Sequence, residues 1–300
     1  MSLSINSPLL ESLALGQLNH TRIWMKMESM QPSGSFKIRG IGHACEYHVA
    51  RGAKRFVSSS GGNAGLAVAY AGRQLGVPVT VVVPESTSAR ARYLLELEGA
   101  EVKVHGKIWA EANELARSLL GEHDAFIHPF DDPLLWEGHA SMIDEVVASG
   151  LRPDAVILSV GGGGLLSGVH KGLQRNELDI PIFAVETAGM SSLKASIEAG
   201  KLVSIPEVTG VATSLGAQQV AQQAFNLTKE RDIIPVTVSD QQAVDACLAF
   251  LDDHRALVEP ACGASLAVLY QQLVDLRDMN NVLVIVCGGS TTTIASLQAF

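Results

Sequence analysis

A lysine and two glycine-rich loops form the most chemically informative pattern in this chain. Lys37 lies in the segment Ser33–Gly40, where small residues leave room around its amine. Such an amine can form a Schiff base with a carbonyl compound and can afterwards move a proton. The loop Ser58–Gly65 offers hydroxyls and backbone N–H groups to a carboxylate, and the glycines Gly161–Gly164 offer a turn to a phosphate. Together the three segments predict a pyridoxal-phosphate (PLP) enzyme.

Each feature also has a plainer interpretation. Most lysines are solvated, a glycine cluster can be a flexible turn, and Ser60 and Asn63 can simply cap a helix. Position favours an anion site, because Gly161–Gly164 follow an apolar run and precede a helical stretch. Ser167 stands where a dinucleotide fingerprint would need glycine, and no Lys-Ser/Thr pair follows as in a P-loop. Nucleotide binding is therefore disfavoured.

Short β-branched runs alternate with helical stretches from Arg55 onward. Predicted strands cover 77–83, 101–104, 155–160, 182–185, 233–238 and 282–286, and predicted helices cover 89–98 and 110–120. Ser239 and Gln242 have the spacing of a capping box at the start of a further helix. This alternation predicts an α/β fold with open, mostly parallel sheets and helices on both faces.

Cys287 ends the most apolar of these strands, so we expect it at the carboxyl edge of the sheet, where ligands of open α/β sheets bind. A buried free cysteine is ordinarily a small hydrophobic residue, and this alternative stays open.

The turn Asp131–Pro133 suggests a hinge between two lobes. We predict a large PLP-binding domain of residues 1–39 and 133–300 and a small substrate-side domain of residues 40–132.

Composition narrows the classes of partner. The formal charge is −9 and no Lys/Arg run is present, which argues against nucleic acid and anionic membranes. We find no signal peptide and no apolar run long enough to span a bilayer, so we expect a cytoplasmic protein that binds small molecules. Four cysteines without CxxC spacing predict reduced thiols, and histidines without HExxH spacing give no support to a transition-metal site.

The motifs also resemble those of a known family, the L-serine/L-threonine dehydratases (serine dehydratase-like) among the fold-type II, tryptophan synthase β-like PLP enzymes. The resemblance covers about residues 7–290 and implies a two-lobed fold. Its motifs are Ser33–Gly40, Ser58–Gly65, Trp136–Ser141, Gly161–Gly164, Val258–Ala264 and Val286–Ser290.

This resemblance assigns roles to individual residues. It makes Lys37 the Schiff-base lysine and Phe36 a neighbour of the cofactor ring. Asn63 would bind the ring hydroxyl and Cys287 would face the ring nitrogen. The phosphate would be held by Gly161, Gly162, Gly163, Gly164 and Leu165. The substrate carboxylate would be held by Ser60, Gly61 and Gly62, next to Asn63. Lys37 and Ser60 would be catalytic. Glu186 resembles a family position near a monovalent cation, K⁺ or Na⁺.

The implied reaction is β-elimination, in which L-serine gives pyruvate and L-threonine gives 2-oxobutyrate, each with ammonia. The resemblance also implies a homodimer. Two departures stand out: Gly61 replaces an alanine of some members, and Thr291–Thr293 follow Ser290 where asparagine is expected. We expect Gly61→Ala to change the rate or the serine/threonine preference.

Other activities use the same scaffold. Serine racemase and β-replacement enzymes such as cysteine synthase and threonine synthase stay open, as does a non-catalytic PLP or amino-acid binder. The loop Ser58–Asn63 and Cys287 favour the dehydratase.

Overall fold

A computed structural model describes residues 2–300, which form two β-sheets with helices on both faces. The strands are β1 Leu9–Ser12, β2 Arg22–Lys26, β3 Arg55–Ser58, β4 Val79–Val83, β5 Glu101–Val104, β6 Asp124–Phe126, β7 Ala155–Ser159, β8 Ile182–Thr187, β9 Ile233–Val238 and β10 Asn281–Ile285. The helices are α1 Leu13–Asn19, α2 Lys37–Val49, α3 Asn63–Leu75, α4 Ala89–Leu97, α5 Trp109–Ser118, α6 Pro133–Ala148, α7 Gly164–Arg175, α8 Ser192–Ala199, α9 Gln222–Leu227, α10 Asp240–His254, α11 Pro260–Tyr270 and α12 Ile294–Gln298.

The larger sheet has the strand order β1-β2-β10-β7-β8-β9. Its strands run parallel except β1, which pairs antiparallel with β2. Every residue of β7 and β8 is buried, as expected for strands that helices cover on both faces. The carboxyl ends of β7 and β10 lead directly into the glycine turn and Cys287.

The smaller sheet has the order β5-β4-β3-β6 and is parallel throughout. The carboxyl end of β3 leads into the loop Ser58–Gly65, and α3 begins at Asn63. Its strands come from one continuous stretch of chain, whereas the larger sheet combines strands from both sides of that stretch.

The predicted α/β architecture is confirmed, and most strand boundaries fall within one or two residues of those expected. The capping box at Ser239 and Gln242 is also confirmed. The strands β1 and β2 precede the alternating pattern and were not predicted. They are short, and β1 pairs with β2 while β2 also pairs with β10, so their partners, not their composition, define them.

A buried ion-pair network fixes α2 against α6. The Arg39 guanidinium donates to Glu28 at 2.7 and 2.9 Å and to Glu145 at 2.7 Å, and Lys26 donates to Glu145 at 2.6 Å. Arg39 and Glu28 are completely buried, so each charge depends on the others for its stabilisation. Arg39 lies two residues after Lys37, and the network therefore anchors the start of α2.

The Asp131–Pro133 turn begins α6, where the Asp132 side chain accepts a hydrogen bond from the Leu134 N–H at 2.8 Å. Among residues 2–300, no helix is both long enough and apolar enough to cross a membrane.

Candidate active site

Lys37 is the first residue of α2, and its side chain lies near Pro129, which follows β6 of the smaller sheet, and near Cys287, which follows β10 of the larger sheet. Its Nζ donates to the Pro129 carbonyl at 2.7 Å and lies 5.1 Å from the centroid of the Phe36 ring. Burial lowers its pKa from 10.5 to about 8, although the nearby Cys287 and Glu259 oppose that change. A lysine with this pKa is partly neutral near physiological pH, as a nucleophile or base must be.

The segment that carries Lys37 is attached to the end of β10. The Phe36 N–H donates to the Cys287 carbonyl at 3.1 Å, and Ser35 forms an isolated antiparallel bridge with Gly288. Cys287 is buried. A hydrogen bond with the Cys262 sulfur, together with burial, raises the pKa of the Cys287 thiol well above its usual value. Cys287 is therefore a neutral thiol close to Lys37.

The glycine turn between β7 and α7 has no space for side chains. A Cβ on Gly162 would lie 2.4 Å from the Phe130 ring, and one on Gly163 would lie 2.4 Å from the Ala224 Cβ. Gly163 also has a φ of +89°, which L-residues rarely adopt. The backbone is thus bare at the N-terminus of the 12-residue helix α7, an arrangement that suits a phosphate. Leu165 follows in the first turn of that helix and is buried.

The loop after β3 leads to Asn63, which contacts Glu259 near Lys37, and the loop residues are partly exposed. Ser60, Gly61 and Gly62 are half-buried, and the Ser60 hydroxyl accepts from the Gly62 N–H at 3.4 Å. A Cβ on Gly61 would meet the Thr87 Cγ2 at 2.7 Å. The loop can therefore present N–H groups and a hydroxyl to a carboxylate, while Thr87 limits the size of residue 61.

Asn63 connects this loop to the end of the larger sheet. Its Nδ2 donates to Glu259 at 2.7 Å and to the Ser214 Oγ at 3.3 Å, and its Oδ1 accepts from the Ser290 N–H at 3.1 Å. These partners fix the orientation of the amide, because oxygen and nitrogen each have a matching partner.

Glu259 is a site residue to which the sequence analysis gave no role. It is buried before α11, and burial raises its pKa to about 7 even though Ser214 and Asn63 donate to it. The signal was present, since Glu259 is an acidic residue within the apolar segment Leu257–Cys262. An acidic residue in such a run needs buried partners, which here are Asn63 and Ser214.

Glu186 lies at the end of β8 and is fully buried. Its two carboxylate oxygens accept from the N–H groups of Leu193 and Lys194 at 2.8 and 2.9 Å, at the beginning of α8. Burial raises its pKa to about 7. The carboxylate thus serves the N-terminus of α8, and its part in cation binding stays a prediction. Within residues 2–300, no group of three or more His, Cys, Asp or Glu could hold a metal ion.

The arrangement fits PLP. A lysine of lowered pKa, a bare glycine turn, a fixed amide and a neutral thiol lie in one connected region. Pro129 and Phe130 link Lys37 to the glycine turn, and Glu259 lies near Lys37, Asn63 and Cys287. A family model described as "Pyridoxal-phosphate dependent enzyme" matches residues 2–288. The chain belongs to this family. PLP is accordingly its cofactor, and the predicted cofactor is confirmed at the level of the family.

Individual relatives indicate which enzymes of this family the chain resembles. The human "L-serine dehydratase/L-threonine deaminase" is 48% identical, and the alignment covers 99% of this chain and 94% of the relative. A fungal L-serine ammonia-lyase from Rhizomucor miehei superposes with a TM-score of 0.93 at 37% identity, covering 100% of this chain and 98% of the other. Serine racemase from Dictyostelium discoideum superposes with a TM-score of 0.87 at 27% identity, covering 97% and 94%. The predicted resemblance to the dehydratases and the fold-type II fold are confirmed.

Proposed function

We propose that this protein is an L-serine/L-threonine ammonia-lyase that converts L-serine to pyruvate and L-threonine to 2-oxobutyrate, releasing ammonia. The main support is the 48% identity to the human dehydratase along nearly the whole of both chains. The structural support is a cleft that combines an amine of lowered pKa with separate positions for a phosphate and a carboxylate.

In this proposal Lys37, Asn63, Cys287 and the glycine turn 161–164 with Leu165 hold the cofactor. Bound PLP supplies an electron-withdrawing ring that stabilises the electron pair left on the substrate Cα. The neutral Cys287 thiol can offer the ring nitrogen only a weak hydrogen bond, which limits the positive charge on the ring. Moderate electron withdrawal suits β-elimination better than transamination.

Lys37 performs the proton transfer. To reach the substrate, its Nζ must leave the Pro129 carbonyl, to which it donates at 2.7 Å. With a pKa of about 8, the amine can take the Cα proton at neutral pH and release it again. Ser60 and the N–H groups of Gly61 and Gly62 hold the substrate carboxylate, which directs the Cα–H bond toward Lys37. The β-hydroxyl takes up one proton, which balances the one lost from Cα, and leaves as water. The released unsaturated amino acid then reacts with one water molecule to give the 2-oxo acid and ammonia.

Purified, PLP-supplemented protein would be tested with L-serine and L-threonine by measuring 2-oxo acid and ammonia. We expect both products from the wild type and from Lys201→Ala, an exposed-lysine control, and none from Lys37→Ala. Absence of 2-oxo acid from the wild type would refute the proposal. Chiral analysis of the remaining serine tests the racemase, which the superposition on serine racemase favours as the second candidate.

We also propose a cytoplasmic homodimer with the two domains defined above. Ile5, Leu10 and Leu13 support the dimer, because these large apolar side chains near the edge strand β1 are 45%, 44% and 75% exposed. The four cysteines are free and buried, as expected in a reducing compartment. The separate sheets support the domains. Light scattering would test the dimer, and a monomeric mass would exclude it. Cell fractionation would test the cytoplasmic location, and hydrogen exchange would test the two domains.

A further inference from the structure

His139 occupies the crossing point of three helices, α2, α6 and α7. It belongs to α6 and is completely buried. A Cβ on Gly40 of α2 would lie 2.6 Å from its Cε1, and a Cβ on Gly168 of α7 would lie 2.3 Å from its Cβ. Gly40 thus lies against the imidazole ring, and Gly168 lies against the Cβ and the backbone of His139. The buried ring therefore has no room for a side chain at position 40.

The imidazole contacts the Lys37 segment in two ways. Its Nδ1 accepts the Gly40 N–H at 3.1 Å, in the first turn of α2, where N–H groups lack helical partners. Its ring lies 4.9 Å from the Phe36 ring, tilted by 56°. Phe36 directly precedes Lys37 and lies beside its Nζ. His139 therefore restrains both the backbone that follows Lys37 and the side chain that precedes it.

The protonation of His139 follows from these contacts. Since Nδ1 accepts a hydrogen bond, the neutral ring carries its proton on Nε2. Burial, together with the charges of Lys37 and Arg39, keeps the pKa of His139 well below its usual value. Within residues 2–300, the Nε2–H has no hydrogen-bond partner. The contacts of His139 are therefore made by its Nδ1 and by its ring, and not by Nε2.

We propose that His139 is a positioning residue for Lys37, which holds the first turn of α2 through Nδ1 and the Phe36 ring through its own ring face. It does not exchange a proton in the reaction. The inference rests on that part of the proposed function in which Lys37 carries the cofactor.

Two substitutions separate the hydrogen bond from the ring. His139→Asn keeps an acceptor close to the position of Nδ1 and removes the ring, whereas His139→Phe keeps an aromatic ring and leaves the Gly40 N–H unpaired. His170→Phe is the matched control, since His170 is a buried histidine of α7 whose Nδ1 accepts a hydrogen bond from Arg231 at 3.2 Å. Stability of each cofactor-free variant is measured by urea unfolding.

The readout is attachment of PLP to Lys37, not turnover. Cofactor-free protein is mixed with PLP, the bond is reduced with borohydride at intervals, and peptide mass spectrometry gives the labelled fraction of Lys37. We expect His139→Phe to label about tenfold more slowly than wild type, because an unpaired buried N–H lets the first turn move. We expect His139→Asn to stay within about threefold of wild type despite its lost packing.

Wild-type labelling rates for His139→Phe, or losses in both variants that simply follow their stability, would overturn the proposal. If either variant fails to fold, ¹⁵N NMR of wild-type protein with labelled histidine decides. A protonated Nδ1 on His139 would overturn the proposal, and an unprotonated Nδ1 in contact with the Gly40 amide would support it. Wild-type protein that labels Lys37 without forming 2-oxo acid would refute the dehydratase and leave this inference testable.

Discussion

Replacing Lys37 by methionine removes an ammonium group from a cleft where water reaches it only in part. In the cofactor-free protein that group has a pKa of about 8, against 10.5 for an ordinary lysine, and burial is the main cause. Folding therefore opposes its charge. Methionine has a similar length and no charge, so we expect Lys37→Met to stabilise the cofactor-free protein at neutral pH.

The sign and size of the effect depend on pH. Between pH 8 and 10.5 the unfolded chain binds more protons at Lys37 than the folded chain does, so wild-type stability rises with pH in this window. A full change from 10.5 to about 8 corresponds to about 3 kcal/mol. Because the side chain is only partly buried, we reduce this to about 2 kcal/mol. Lys37→Met should lack this rise.

Urea unfolding measures this change in stability. It is carried out at several values of pH from 7 to 10.5 on the cofactor-free wild type, on Lys37→Met and on the exposed-lysine control Lys201→Met. The difference between wild type and each variant removes contributions from tyrosines and cysteines common to both. We expect the Lys37→Met advantage to shrink by about 2 kcal/mol between pH 8 and 10.5, and no such trend for the control. An advantage that stays constant with pH would refute the lowered pKa and the base role built upon it.

Three further substitutions test other parts of the site. Gly61→Ala forces Thr87 aside, because the new Cβ would lie 2.7 Å from the Thr87 Cγ2. We expect the ratio of kcat/KM for serine to that for threonine to change by about 10-fold or less, and unchanged kinetics for both substrates would contradict this. Arg39→Met leaves Glu28 buried without its partner, and we expect a loss of about 3–5 kcal/mol in urea unfolding, which a loss below 1 kcal/mol would contradict. Gly163→Ala combines a φ of +89° with a contact at 2.4 Å, and we expect weaker PLP binding by fluorescence titration; equal affinity would argue against the phosphate turn.

The sequence predicted the fold well where a regular pattern determined it. The strands β7, β8 and β10 are nearly continuous apolar runs, and such runs need helices on both faces. The glycine turn was predictable for a related reason, since its position between a strand and a helix is visible in the chain. The roles assigned to Lys37 and Cys287 stay predictions, but the structure brings the two residues close together.

Other features depend on contacts that no local pattern encodes. Glu259 meets Asn63 across 196 residues of sequence, and His139 meets Gly40 across 99. In the sequence nothing distinguishes Arg39 from an ordinary surface arginine, yet its side chain is fully buried. In each case the partner lies in a distant segment, so only the assembled fold reveals why a polar residue is tolerated in the interior.

The pairing of β2 with β10 sets the order in which the protein can be built. It joins residues 22–26 to residues 281–285 in the middle of the larger sheet. The four strands of the smaller sheet, by contrast, are all translated between residues 55 and 126. A growing chain can form the smaller sheet early, but β2 cannot pair with β10 until residues 281–285 have emerged from the ribosome, long after the smaller sheet has been made. Cys287 follows β10 in the chain, so the cofactor site is assembled only after β10 has been made, and until then the edge of β2 that later pairs with β10 is an unpaired strand edge.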